Sequence, residues 1–207
     1  MALTVVDHPL VAHLLTALRD RETAPALFRQ LARQLTHALV LEATRDLPVR
    51  TRRVHTPLEP MDGRELDARV VAVPILRAGL GMLDAVTSLL PEVSVGYIGL
   101  ERDERTLRPT SYYEKLPPIE GAHVLLLDPM LATGGSAAAA CASIARRSPA
   151  SIRMACVVAA PEGVAALERA HPEVAVFTAA VDRALNDVGY IVPGIGDFGD
   201  RLFGTEP

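Results

Sequence analysis

A doubly wound α/β fold, with a mainly parallel sheet flanked by helices, is predicted by three observations. Short apolar runs such as "VLLL" at 124–127 lack alternation, as expected of strands buried on both faces. These runs alternate along the chain with segments of helical period. The loops that follow them carry Gly, Arg and Asp, the residue types found where open α/β sheets bind ligands.

The elements follow in order. Residues 8–20 place Leu10, His13/Leu14 and Ala17/Leu18 on one face, and residues 24–43 do the same with Phe28, Leu31, Leu35 and Leu39. Two N-terminal helices are expected. "PVRTRRVHTP" at 48–57 alternates loosely and reads as an edge strand. Then come strand 70–75 and helix 79–90, strand 93–100, strand 123–128 and helix 135–147, strand 152–159 and helix 161–170, and strand 174–179. The stretch 101–108 has six charged residues in eight, normally a solvated turn. With Tyr112 and Tyr113 and a return strand behind it, it reads instead as a long hairpin able to fold over an anionic ligand. The tail, 182–207, is dense in glycine yet holds Tyr190, Ile191, Val192, Ile195, Phe198, Leu202 and Phe203. It is expected to be an irregular hood or lid on a single 1–207 domain, not a second domain.

Composition narrows the function. Hydrophobic residues are 49% of 207 and the net charge is −4. No free-standing basic cluster exists, which argues against nucleic acid as a partner. The N-terminus lacks the pattern of a secretory signal. The apolar window 70–90 contains Pro74, Arg77 and Asp84, which a membrane helix would bear poorly. A cytoplasmic protein without membrane contact is expected, with Cys141 and Cys156 reduced in the core. Lys115 is the only lysine, so no Walker-type phosphate loop is present and a nucleoside kinase is disfavoured.

The stretch "DPMLATGGS" at 128–136 concentrates the chemistry. Asp128 ends a strand, and Thr133, Gly134, Gly135 and Ser136 open a helix. A helix N-terminus offers unpaired N–H groups and partial positive charge, and glycine lets an anion approach them. The pattern reads as a phosphate cradle with a carboxylate on its rim, although a βα-turn can use the same residues for geometry alone. Arg77, just after a buried strand, has a fork suited to a phosphate or to an ion pair.

"VPILRAGLGM", "DPMLATGGS", "VAAPEG", "GYIVPGIGD" and "GDRLFGT" together resemble the uracil phosphoribosyltransferases, in order and spacing, over nearly the whole chain. That resemblance implies a type I phosphoribosyltransferase fold with a hood over the site. It implies transfer of the phosphoribosyl group of 5-phospho-α-D-ribose 1-diphosphate to uracil, giving uridine monophosphate and diphosphate in pyrimidine salvage. It implies that Asp128, Pro129, Met130, Leu131, Ala132, Thr133, Gly134, Gly135 and Ser136 bind phosphoribosyl diphosphate, Thr133 to Ser136 holding its 5-phosphate and Asp128 sitting beneath the ribose. Arg77 and Arg102 would hold the diphosphate, with Arg102 acting in catalysis beside Asp128. Ile191, Gly196 and Phe198 would read uracil through backbone groups, and Asp197 would face the ribose diphosphate. Mg²⁺ would arrive held mainly by the diphosphate, with no protein metal site. At least a homodimer is implied, and a GTP effector is possible in such a family. Two positions depart from the family pattern: Phe198 stands where alanine is usual, and Glu101 where an aromatic is usual. The competing readings are a nucleotide-sensing regulator of the same fold and a transferase acting on a purine or orotate.

Overall fold

The computed structural model describes residues 1–102 and 109–205, with Arg102 and Pro109 described by their backbone only. The elements are β1 (Ala2–Val5), α1 (Pro9–Arg19), α2 (Pro25–Ala43), β2 (Val49–His55), β3 (Pro60–Leu66), β4 (Val70–Leu76), α3 (Leu80–Leu89), β5 (Ser94–Val95), β6 (Tyr97–Arg102) and β7 (Pro109–Lys115). They continue with β8 (His123–Leu127), β9 (Met130–Leu131), α4 (Gly135–Ala145), β10 (Ser151–Ala159), α5 (Pro161–Ala170), β11 (Ala175–Val181), β12 (Ala184–Leu185), β13 (Ile191–Val192) and α6 (Phe198–Phe203).

The main sheet runs β1-β11-β10-β8-β4-β6-β7, with β5 beside β4 and β9 beside β10. Its pairings are parallel except for the β6–β7 hairpin at one edge. The central strands are apolar at nearly every position because both faces are covered. Pro74 sits inside central β4, opposite Leu127. One face packs against α1, α2, α3 and the C-terminal tail, in a core that includes Phe28, Leu35, Leu39, Met82 and Phe198. The other packs against α4 and α5, through Ala140, Cys141, Ile144 and Leu167. This is the doubly wound α/β architecture expected from the alternation of strands and helices.

The structure corrects four details. The buried stripe of α1 is Val11, Leu15 and Leu18, one position round from the expected face, and Leu10 is 64% exposed. Residues 49–55 do not edge the main sheet; they pair only with β3, as a separate antiparallel hairpin. The edge strand is instead β1, four mostly exposed residues paired in parallel with β11. The tail is not irregular throughout. β12 and β13 form a small hairpin, and α6 adds a short helix.

The tail is tied to the first two helices by arginines. Arg19 donates to both carboxylate oxygens of Asp182, at 2.8 and 2.6 Å, and to the Gly194 carbonyl at 2.7 Å. Asp182 in turn accepts from the Gly194 N–H at 2.8 Å. Arg201 donates to the carbonyls of Leu18, Ile195 and Asp20, and its guanidinium stacks 4.5 Å from the centre of the Phe28 ring. These bonds use backbone carbonyls that irregular chain would otherwise leave unpaired.

Candidate active site

The carboxyl ends of β4 and β8 and the start of β9 meet at Asp128. Two cavities adjoin there. One, of about 310 Å³, is walled by Ala78, Asp128, Met130, Ala132 and the tail segments Val188–Ile191 and Gly196–Gly199. The other, of about 120 Å³, is walled by Asp128, Met130, Leu131, Ala132, Thr133, Gly134, Ser136 and Ala137. Asp128, Met130 and Ala132 belong to both, so the carboxylate stands at the junction of a phosphate-sized recess and a larger chamber closed by the tail.

The recess is built by close backbone approach. Gly134 is the N-cap of α4, with φ 80°, so no side chain there can satisfy the first N–H groups of the helix. Those donors are left to an anion. A Cβ at Gly134 would also come within 2.8 Å of the Gly163 carbonyl oxygen. Gly163, in the first turn of α5, is equally constrained: its Cβ would meet the Ala132 carbonyl oxygen at 2.4 Å. The glycine of "VAAPEG" therefore seats the cradle on α5. Gly79 does similar work under Arg77, where a Cβ would lie 2.4 Å from the Leu127 carbonyl oxygen.

Asp128 lies among apolar packing, with part of its surface on the cavities. Desolvation pushes its carboxyl up to about 7, against a smaller lowering from the Met130 backbone. A carboxylate so placed accepts hydrogen bonds from hydroxyls and favours positive charge developing beside it. Cys141 and Cys156 are buried, and desolvation raises both thiols to about 12, so neither acts as a nucleophile. Among the described residues no three His, Cys, Asp or Glu side chains converge as a metal cage.

Most of the residues expected at the site come together. Asp128, Met130, Ala132, Thr133, Gly134 and Ser136 wall the recess; Ile191, Gly196, Asp197 and Phe198 wall the chamber. Leu131 also walls the recess and is otherwise buried in the core. Pro129 is buried and walls neither cavity, and its carbonyl accepts from Val157 and Val158. Gly135 begins α4 without lining either cavity. Arg77 is exposed, at the end of β4 next to Gly79, with no ion-pair partner among the described residues. Arg102 ends β6, and the loop beyond it lies outside the described residues. Asp197 caps α6, accepting from the Asp200 N–H at 2.9 Å.

The ring of Phe198, 1% exposed, turns into the core. It meets Phe28 edge-on, with centroids 5.1 Å apart. It lies against α3 at Gly81, where a Cβ would come within 3.1 Å of its Cε1. Tyr190 and Phe203, the other aromatics of the tail, are both 45% exposed. Sequence reasoning missed Arg19, Asp182 and Arg201, which hold the tail. Arg201 falls within the quoted "GDRLFGT", but nothing in the sequence pairs it with carbonyls more than 180 residues away.

Comparison with known proteins identifies the family and the fold. The family model described as uracil phosphoribosyltransferase matches residues 5–205. Curated uracil phosphoribosyltransferases from Roseiflexus and from Dictyoglomus thermophilum are 52% and 50% identical, over 97% of this chain and 97% of the first, and 98% of this chain and 99% of the second. A solved protein from Aquifex aeolicus superposes with TM-score 0.93 at 39% identity, covering 97% of each chain. Hypoxanthine phosphoribosyltransferase from Trypanosoma cruzi, 14% identical over 76% of this chain and 75% of its own, shares the fold with TM-score 0.52. With the family model spanning nearly the whole sequence and relatives at about half identity, the chain belongs to the uracil phosphoribosyltransferase family.

Proposed function

We propose that the two cavities meeting at Asp128 carry out the family's reaction, with the ribose 5-phosphate in the smaller and uracil in the larger. The observation that supports this most is the shared wall: one carboxylate borders both a capless helix N-terminus and a chamber closed by the tail. In the transfer, uracil N1 bonds to the anomeric carbon, the bond from that carbon to the diphosphate oxygen breaks, and N1 gives up its proton to water. Diphosphate leaves with the bonding electron pair. Asp128, ionised, accepts from the ribose hydroxyls and favours the positive charge that grows on the ring.

Arg77 and Arg102 take the diphosphate, since a guanidinium fork matches its oxygens. Backbone groups at Ile191, Gly196 and Phe198 pair with the edge of uracil; a base with a different donor pattern would leave a buried group unpaired. Magnesium comes with the diphosphate, whose charge it offsets. The assembly is a homodimer or larger. No helix among the described residues is long and apolar enough to cross a membrane.

The test is direct. The protein is mixed with Mg²⁺, phosphoribosyl diphosphate and labelled uracil, cytosine, orotate or hypoxanthine in turn. Labelled uridine monophosphate from uracil alone is the expected result. A purine or orotate product, or no product with any base, overturns the reading.

A further inference from the structure

The β6–β7 hairpin carries Arg102 towards the site, yet its attachment to the sheet is slight. β6 pairs with β4 only at Ile75–Ile98 and Leu76–Gly99. Within the hairpin Gly99 pairs with Tyr113 and Leu100 with Ser111, so Tyr112 is an extra, bulged residue. Its ring covers the bare Cα of Gly99, where a Cβ would come within 2.6 Å of the Tyr112 Cζ. The bulge divides the hairpin into a root, at Tyr113–Lys115, and an outer part bearing Arg102.

The root has one polar tie to the rest of the molecule among the described residues. Glu114 accepts from the Ser143 hydroxyl with one carboxylate oxygen and from the Arg147 guanidinium with the other, the latter at 2.5 Å. Ser143 is itself buried. Ser143 stands in the last turn of α4 and Arg147 just beyond its C-cap, where the helix dipole disfavours a carboxylate. The same helix begins at the phosphate recess, and Ser143 lies roughly 10 Å along it from Ser136. One side chain thus connects the helix that forms the cradle to the hairpin that bears the diphosphate arginine.

We infer that Glu114 is a positioning residue for phosphoribosyl diphosphate: it fixes the hairpin root to α4, so that the two ends of the substrate keep their spacing. This rests on the proposed placement of the 5-phosphate and diphosphate. Uracil, bound by the tail, does not depend on the tie.

The experiment measures both Michaelis constants, kcat and Tm for the full-length protein and for Glu114→Ala, Glu114→Gln and Arg147→Ala. Glu114→Ala should raise KM for phosphoribosyl diphosphate on the order of tenfold and lower kcat, with KM for uracil unchanged. Glu114→Gln keeps an acceptor for Ser143 and should recover most of the loss. Arg147→Ala should reproduce part of it, and it reports even if Glu114→Ala fails to fold. A lower Tm with both Michaelis constants unchanged, or an equal rise in both, would show a purely structural tie and overturn the inference. Wild-type protein that forms no uridine monophosphate would instead refute the site assignment beneath it.

Discussion

Asp128 combines two properties that oppose each other. It stands at the junction of the cavities, where the proposed transfer uses its charge, and it is desolvated, which disfavours that charge. Its folded-state pKa is raised from 3.8 to about 7. Between those values the folded protein holds a proton that the unfolded chain has released. Stability attributable to this group is therefore present below about pH 4, falls as pH rises towards 7, and is flat above. Asp128→Asn should accordingly raise Tm at pH 8 more than at pH 4, while lowering kcat. For the same reason kcat/KM for phosphoribosyl diphosphate should fall as pH drops below about 7 in the free enzyme, and a pH–rate profile that keeps this limb in Asp128→Asn assigns it elsewhere.

Phe198 makes the complementary case at the same scale. Its ring packs on Phe28 and α3, and the residue also borders the chamber. Phe198→Ala should cost roughly 3 kcal/mol in denaturant unfolding, as for a buried aromatic. The preference for uracil over a bulkier 5-substituted uracil should not change. Admission of the bulky base with unchanged stability would make the ring a pocket wall. The presence of a large apolar residue at 198 was plain in the sequence. Its partner was not, because Phe28 lies 170 positions away and long-range packing leaves no local pattern.

At the scale of elements, local pattern and structure agree where burial is two-sided or periodicity is long. The runs at 70–75 and 123–128, and the helix at 24–43, were legible because many residues repeat one signal. β1, β3 and β12–β13 were not, since short or exposed strands satisfy their hydrogen bonds without burying a stripe. The recess at the start of α4 was legible as a motif, but its support from Gly163 was not, because that contact joins two βα-turns. The hairpin was expected from its charges and paired tyrosines, and β6–β7 forms it. Arg102→Ala should raise KM for phosphoribosyl diphosphate and cut kcat, with stability changed by no more than about 0.5 kcal/mol, as for a surface site. Unchanged kinetic constants would remove the hairpin from the mechanism.

For the whole molecule, the notable arrangement is that the chamber's tail wall is held from the other end of the chain. Arg19 in α1 grips Asp182 and Gly194, and the Asp182 side chain is only 5% exposed. Removing one member of such a pair leaves a buried charge. Arg19→Met should therefore destabilise by roughly 3–5 kcal/mol. At a temperature where the variant remains folded, KM for uracil should rise more than KM for phosphoribosyl diphosphate; the reverse order would separate this anchor from base binding. Fold class followed from the alternation of strands and helices alone, whereas this closure of one terminus on the other did not.

The central claim is that the charge at Asp128 serves the transfer itself. It is tested most directly by the rate of labelled uridine monophosphate formation, at saturating uracil and phosphoribosyl diphosphate and at pH 8, for the wild type and Asp128→Asn. Asparagine keeps the shape and loses the charge. A fall in kcat on the order of 10²-fold, with binding of phosphoribosyl diphosphate little changed, is expected. A kcat near that of the wild type would contradict the account and make Asp128 a structural end to its strand.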